Sequence, residues 1–114
     1  MDKEVVVYAR TTGCPYQSIA ERVFERYDVP RRMIWIDEDP AAMERVLKWT
    51  GYQSVPTIVI AEPGEDLPVS EPDPITGSPR GIDRGAMITE PSRRELTAWL
   101  RKHGLIAEEA EAAG

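Results

Sequence analysis

The stretch Thr11-Thr12-Gly13-Cys14-Pro15-Tyr16-Gln17-Ser18 carries the only cysteine of a 114-residue chain. Cysteine is a nucleophile as the thiolate, so the question is what surrounds this sulfur. Pro15 suits the first residue of a helix, where its missing N–H removes no intrahelical bond. That makes Cys14 the N-cap, facing the free backbone N–H groups of Tyr16 and Gln17 and the positive end of the helix dipole. Such a position favours the negative sulfur. Three residues later stands Gln17, not a second cysteine, so no disulfide can close within the motif. A free cysteine is otherwise often a small buried hydrophobe. The strand–glycine–cysteine–proline–helix context favours the reactive reading.

The elements that must hold Cys14 follow from periodicity. Glu4–Ala9, "EVVVYA", is a β-branched, almost continuous apolar run, as expected for a central strand covered on both faces. Open α/β sheets place their ligand crevice beyond the C-terminal ends of such strands, where Cys14 sits. Ile19, Val23 and Tyr27, flanked by Ala20 and Phe24, form a helical stripe that ends near Tyr27 or Asp28, ahead of Pro30. Met33–Asp37 reads as a second strand. Asp39 and Pro40 then open a helix with Met43, Val46, Leu47 and Thr50 on one face and Gly51 as its stop. Pro56–Ala61 reads as the third strand. Ala86–Thr89 is a short fourth one. Ser92 and Glu95 form a capping box for a last helix that carries Leu96, Trp99, Leu100 and His103 and closes at Gly104.

Between the last two strands, residues 62–85 show neither helical nor strand period and read as an exposed insertion with room for a small hairpin. The order is β-α-β-α-β-β-α: an α/β domain with a four-stranded mixed sheet and three helices. It is expected over residues 1–105, followed by an acidic tail at 106–114. The first two strands should be parallel through a right-handed crossover, and the last two antiparallel.

Hydrophobic residues at 41% and charged residues at 30% fit an ordinary globular domain. A net charge of −6 argues against nucleic-acid binding. No apolar run reaches the roughly 20 residues of a membrane span, and the N-terminus has no signal-like apolar core. A cytoplasmic location is expected, with no membrane partner. A lone cysteine and a lone histidine leave no self-contained zinc site. Trp35, Trp49 and Trp99 read as packing residues, His103 as a packing or surface residue, and Ser18 as exposed and non-catalytic.

The run "VVVYARTTGCPYQ", followed by helix, strand, helix and "SVPTIVI", resembles the glutaredoxins of the thioredoxin superfamily. The ending "AMITEPSRRELTAWL" and the Thr-Thr lead-in are similar to the mycoredoxin group. The resemblance covers about residues 4–61 and 86–103 and implies a thioredoxin-like (glutaredoxin) fold. It makes Cys14 the nucleophile in a monothiol-type Cys-Pro-Tyr-Gln site. Pro56 becomes a cis-proline facing that sulfur, with the Val55 backbone free to pair with a small thiol. Tyr16 lines the thiol groove and Gln53 takes a carboxylate. Arg10, Thr11, Gln17, Thr89 and Ser92 complete the expected thiol-binding set. Three features depart from the family: Gln17 replaces the resolving cysteine, the usual basic residue falls on Thr11 with Arg10 beside it, and Thr89-Glu90-Pro91-Ser92 stands where a Gly-Gly pair is common.

The function so implied is reduction of mixed disulfides between client proteins and a low-molecular-weight thiol. Glutathione, mycothiol or bacillithiol is the co-substrate, no bound cofactor is needed, and the enzyme is a monomer or weak dimer. An alternative is an iron–sulfur carrier with a [2Fe–2S] cluster bridging two copies. Another is an arsenate reductase of the same fold, with Arg80, Arg84, Arg93 and Arg94 holding the oxyanion. A fold used only as a binding module completes the set.

Overall fold

The computed structural model describes residues 3–107, so the expected tail from residue 108 onward lies outside the described residues. Seven elements run β1 (Glu4–Ala9), α1 (Pro15–Arg26), β2 (Arg31–Trp35), α2 (Pro40–Thr50), β3 (Thr57–Ala61), β4 (Met87–Thr89) and α3 (Arg93–Lys102). They form one four-stranded sheet in the order β2-β1-β3-β4. β1 and β2 are parallel, and β3 is antiparallel to both β1 and β4. This is the expected mixed sheet with three helices.

Central placement explains the apolar run of β1. Val5, Val7 and Ala9 pack on one side of the sheet with Ala20, Val23 and Phe24 of α1 and Leu96, Trp99 and Leu100 of α3. Val6 and Tyr8 point to the other side, against Ala42 and Val46 of α2. Strand alternation thus loads both faces from one segment, and each fully buried valine or leucine contributes about 1.5–3 kcal/mol.

The helix ends follow their caps. Asp39 accepts from the Ala41 and Ala42 N–H groups at 3.1 and 3.3 Å. Gly51 closes α2 at a left-handed φ of 81°. Ser92 Oγ accepts from Glu95 N at 3.1 Å while Ser92 N donates to Glu95 Oε1 at 2.7 Å, completing the capping box.

Two expectations need correcting. β2 spans Arg31–Trp35 and not Met33–Asp37, because it is an edge strand whose arginines can point outward into ion pairs with Glu21, Glu4 and Asp66. On α2 the buried stripe is Ala42, Val46 and Thr50, whereas Leu47 is 42% exposed.

Residues 62–85 contain no strand, only an isolated bridge from Arg80 to Thr89. The segment is nonetheless tied down. Val69 N donates to Ile60 O at 2.8 Å. The Tyr8 hydroxyl donates to the carbonyl of Asp66. Burial raises the Tyr8 pKa above its ordinary value, with Arg45 opposing it. Arg84, only 5% exposed, donates to the carbonyls of Asp73 and Trp49, both at 2.7 Å.

Candidate functional site

Cys14 caps α1, as its proline neighbour predicts, with extended φ and ψ of −169° and 165°. Its Sγ accepts from Gln17 N at 3.4 Å and donates to Val55 O at 3.4 Å. The Val55–Pro56 bond is cis. Cys14 is half-buried, its sulfur held between two backbone groups.

The loop before Cys14 is built by a turn in which Gly13 N donates to Arg10 O at 3.0 Å. Gly13 has φ of +75°, a region that costs other L-residues roughly 1–2 kcal/mol. Gln17 locks this turn from the helix side. Its Oε1 accepts from Arg10 N at 3.0 Å and its Nε2 donates to Arg10 O at 2.9 Å. The side chain placed among the thiol-binding residues by resemblance therefore points inward and holds the loop.

Other expected groove residues are also engaged. Thr11 donates to Asp37 through Oγ1 at 2.5 Å and through its N–H at 3.2 Å. Thr89 is fully buried, its Oγ1 3.1 Å from Thr57 Oγ1. Ser92 is the α3 cap. Arg10 is half-buried, and its charge helps lower the Asp37 pKa. Gln53 is exposed. The structure thus gathers Cys14, Val55 and Pro56 directly, with Tyr16 two residues beyond the sulfur.

The Thr11 hydroxyl is the main cause of the lowered Asp37 pKa. A depressed carboxylate stabilises the fold in full above its unfolded value near 4, and that contribution disappears as pH falls through the lower folded value. Thr11→Val should therefore destabilise the protein at pH 7 and show a smaller deficit at pH 3. Urea unfolding at both values measures the difference.

Arg80, Arg84, Arg93 and Arg94 do not converge on Cys14. Arg84 is turned into the core by its carbonyl partners. Arg93 and Arg94 join Arg22, Arg26 and Arg101 in a groove of about 740 Å³ between α1 and α3. That groove has none of Cys14, Tyr16, Val55 or Pro56 in its lining. Arg80 alone reaches the cysteine motif, its guanidinium 5.0 Å from the centre of the Tyr16 ring. Sequence reasoning weighed Arg80 only as an oxyanion ligand and missed Glu90 and Asp37. A single charged residue in an aperiodic segment carries no local signal of what it will face.

Among the described residues no group of three or more His, Cys, Asp or Glu stands together to hold a metal. One thiolate per chain means that a bridging cluster would need a second copy and outside thiols. No helix among the described residues is long and apolar enough to cross a membrane.

The family model described as Glutaredoxin matches residues 5–63. Among solved structures, a buckwheat glutaredoxin–glutathione complex matches with a TM-score of 0.53 at 20% identity, covering 92% of this chain and 83% of that one. This likeness concerns the fold. The glutaredoxin of Archaeoglobus fulgidus matches with a TM-score of 0.42 at 27% identity, over 60% of this chain and 76% of that one. No curated protein sequence matches the chain.

Proposed function

The chain belongs to the glutaredoxin family and is a glutaredoxin-like thiol oxidoreductase, and we propose that it works by a monothiol mechanism through Cys14. The observation that carries this reading is the sulfur itself. Cys14 Sγ sits at a helix N-cap within 3.4 Å of Gln17 N, opposite Val55 O, in a chain with no second cysteine. The backbone N–H gives the sulfur a fixed hydrogen-bond donor at the helix start, and the thiolate is the form that attacks and the form expelled later.

In this mechanism the Cys14 thiolate attacks the small-thiol sulfur of a protein mixed disulfide. The protein leaves as its thiolate and takes up a proton, and Cys14 is left disulfide-bonded to the small thiol. A second small thiol attacks that bond, restores Cys14 and departs as the symmetric disulfide. The buckwheat structure carries glutathione. A thiol of that class, whether glutathione, mycothiol or bacillithiol, is the proposed co-substrate here.

Intact mass spectrometry after incubation with each oxidised thiol tests the reading. One adduct on Cys14, removed by excess free thiol, is expected. No reversible adduct with any of the three overturns it. Gln17→Cys sharpens the result: the adduct should collapse to an internal disulfide between positions 14 and 17. The same change leaves Arg10 N without its acceptor, so the reduced variant should lose about 1–3 kcal/mol of stability in urea.

A further inference from the structure

Resting on that thiol-exchange reading, we propose that Arg80 is a specificity-determining residue. It recognises an anionic group, such as a carboxylate, on the half of the disulfide that lies against Tyr16. The segment that supplies Arg80 is the aperiodic 62–85 insertion.

The arginines of this protein differ in how fully they are bound. Arg84 donates to two carbonyls, while Arg31 and Arg32 each meet two carboxylates. The Arg80 side chain is 56% exposed, and its closest charged neighbour, Glu90 Oε1, lies 3.6 Å from Nε, beyond hydrogen-bonding distance. The guanidinium carbon lies over the Tyr16 ring, 5.0 Å from its centre. This cation–π contact uses none of the head group's hydrogen bonds, and a guanidinium can offer two N–H groups side by side to a carboxylate.

The backbone beneath this head group is fixed. Gly81 N donates to Thr89 O at 2.7 Å, and Arg80 bridges to Thr89 as well. Gly81 has φ of +73°, and a Cβ there would come within 2.6 Å of Glu95 Oε1 in the α3 capping box. Thr89 in turn pairs with Thr57, the residue after Pro56. Glu90 joins the same rim: its N–H donates to Pro56 O at 2.8 Å, and its φ of 46° is rare for a residue with a side chain. Held backbones, a strained residue and an unsaturated guanidinium therefore meet beside the cysteine loop. Strain of this kind gathers at functional sites. Among the described residues, the loose contact to Glu90 is the ion pair an incoming carboxylate would displace.

The step itself is unchanged. The Cys14 thiolate forms a new S–S bond with one sulfur of the substrate disulfide, and the other sulfur leaves as a thiolate. Arg80 acts on which disulfide is held for that attack.

The test uses the reduced 114-residue chain and three short symmetric disulfides: 3,3′-dithiodipropionate, bis(2-hydroxyethyl) disulfide and cystamine. Mass gain on Cys14 gives each rate constant. Arg80→Gln is expected to slow the dicarboxylate about ten-fold and to leave the neutral disulfide within about two-fold, as loss of one charge-assisted contact predicts. Arg80→Lys should fall between, keeping the charge without the planar fork, and added salt should shrink the wild-type preference. Equal slowing of all three disulfides, or no slowing, overturns the assignment while leaving thiol exchange intact. A wild-type Cys14 that reacts with none of the three overturns the exchange reading and this inference together.

Discussion

Cys14→Ser is expected to reduce thiol–disulfide exchange to the uncatalysed background while the protein stays folded. The two halves of that result have separate causes. A serine hydroxyl cannot form the mixed disulfide, and the chain holds no other cysteine to take over. Serine is nevertheless a preferred N-cap, and its oxygen can accept the Gln17 N–H that the sulfur now accepts. Stability should therefore stay within about 1 kcal/mol of wild type, whereas Cys14→Ala, which removes the cap, should cost about 0.5–2 kcal/mol. Urea unfolding of the two variants alongside turnover of a mixed-disulfide peptide separates the capping role from the chemical one. A serine variant that still reduces the peptide would remove Cys14 from the mechanism.

The capping position of Cys14 was legible from the residues. Pro15 at the first helical position, Gly13 before the cysteine and the apolar Glu4–Ala9 run place Cys14 where the structure has it. The caps Asp39 and Ser92 were equally clear, because a cap is a local rule between residues two or three apart. What failed is what depends on distant partners. The second strand was placed at Met33–Asp37, yet it begins at Arg31, because an edge strand tolerates arginines once carboxylates from three other segments arrive. Leu47 looked like core, but Ala42 fills the place against the sheet.

Gln17 shows the same limit inside the site. Read by position, it is a missing cysteine and, by resemblance, a thiol-binding side chain. In three dimensions it is a clamp, using both ends of its amide on the backbone of Arg10. The substitution that rules out an internal disulfide also stiffens the loop presenting the remaining thiol. The absence of an internal disulfide and a clamped cysteine loop thus arise from one residue.

The largest effect on stability is expected at Arg84, which the sequence presented as one charge in an exposed loop. Its side chain runs inward, 5% exposed, and bonds the Asp73 carbonyl of the insertion and the Trp49 carbonyl of α2. Burial pulls its pKa below the ordinary arginine value and Asp73 pushes back, but arginine remains charged at neutral pH. Arg84→Met keeps much of the apolar volume and leaves two carbonyls unmatched. The expected loss is about 2–4 kcal/mol, given about 1–3 kcal/mol for each buried group left unsatisfied. In a domain of this size that lowers Tm by roughly 10–20 °C. Arg84→Lys should recover part of it, because one ammonium retains the charge without the two-pronged reach. Arg84 N also donates to Met87 O at 2.9 Å, so this residue sets how the insertion enters the edge strand that carries Thr89 and, through it, Arg80. Arg84→Met should therefore weaken the preference for an anionic disulfide below its Tm, with Arg80 itself untouched. Thermal unfolding and the three-disulfide rates on one sample would show the link; full stability with full preference would mean that the insertion is held some other way.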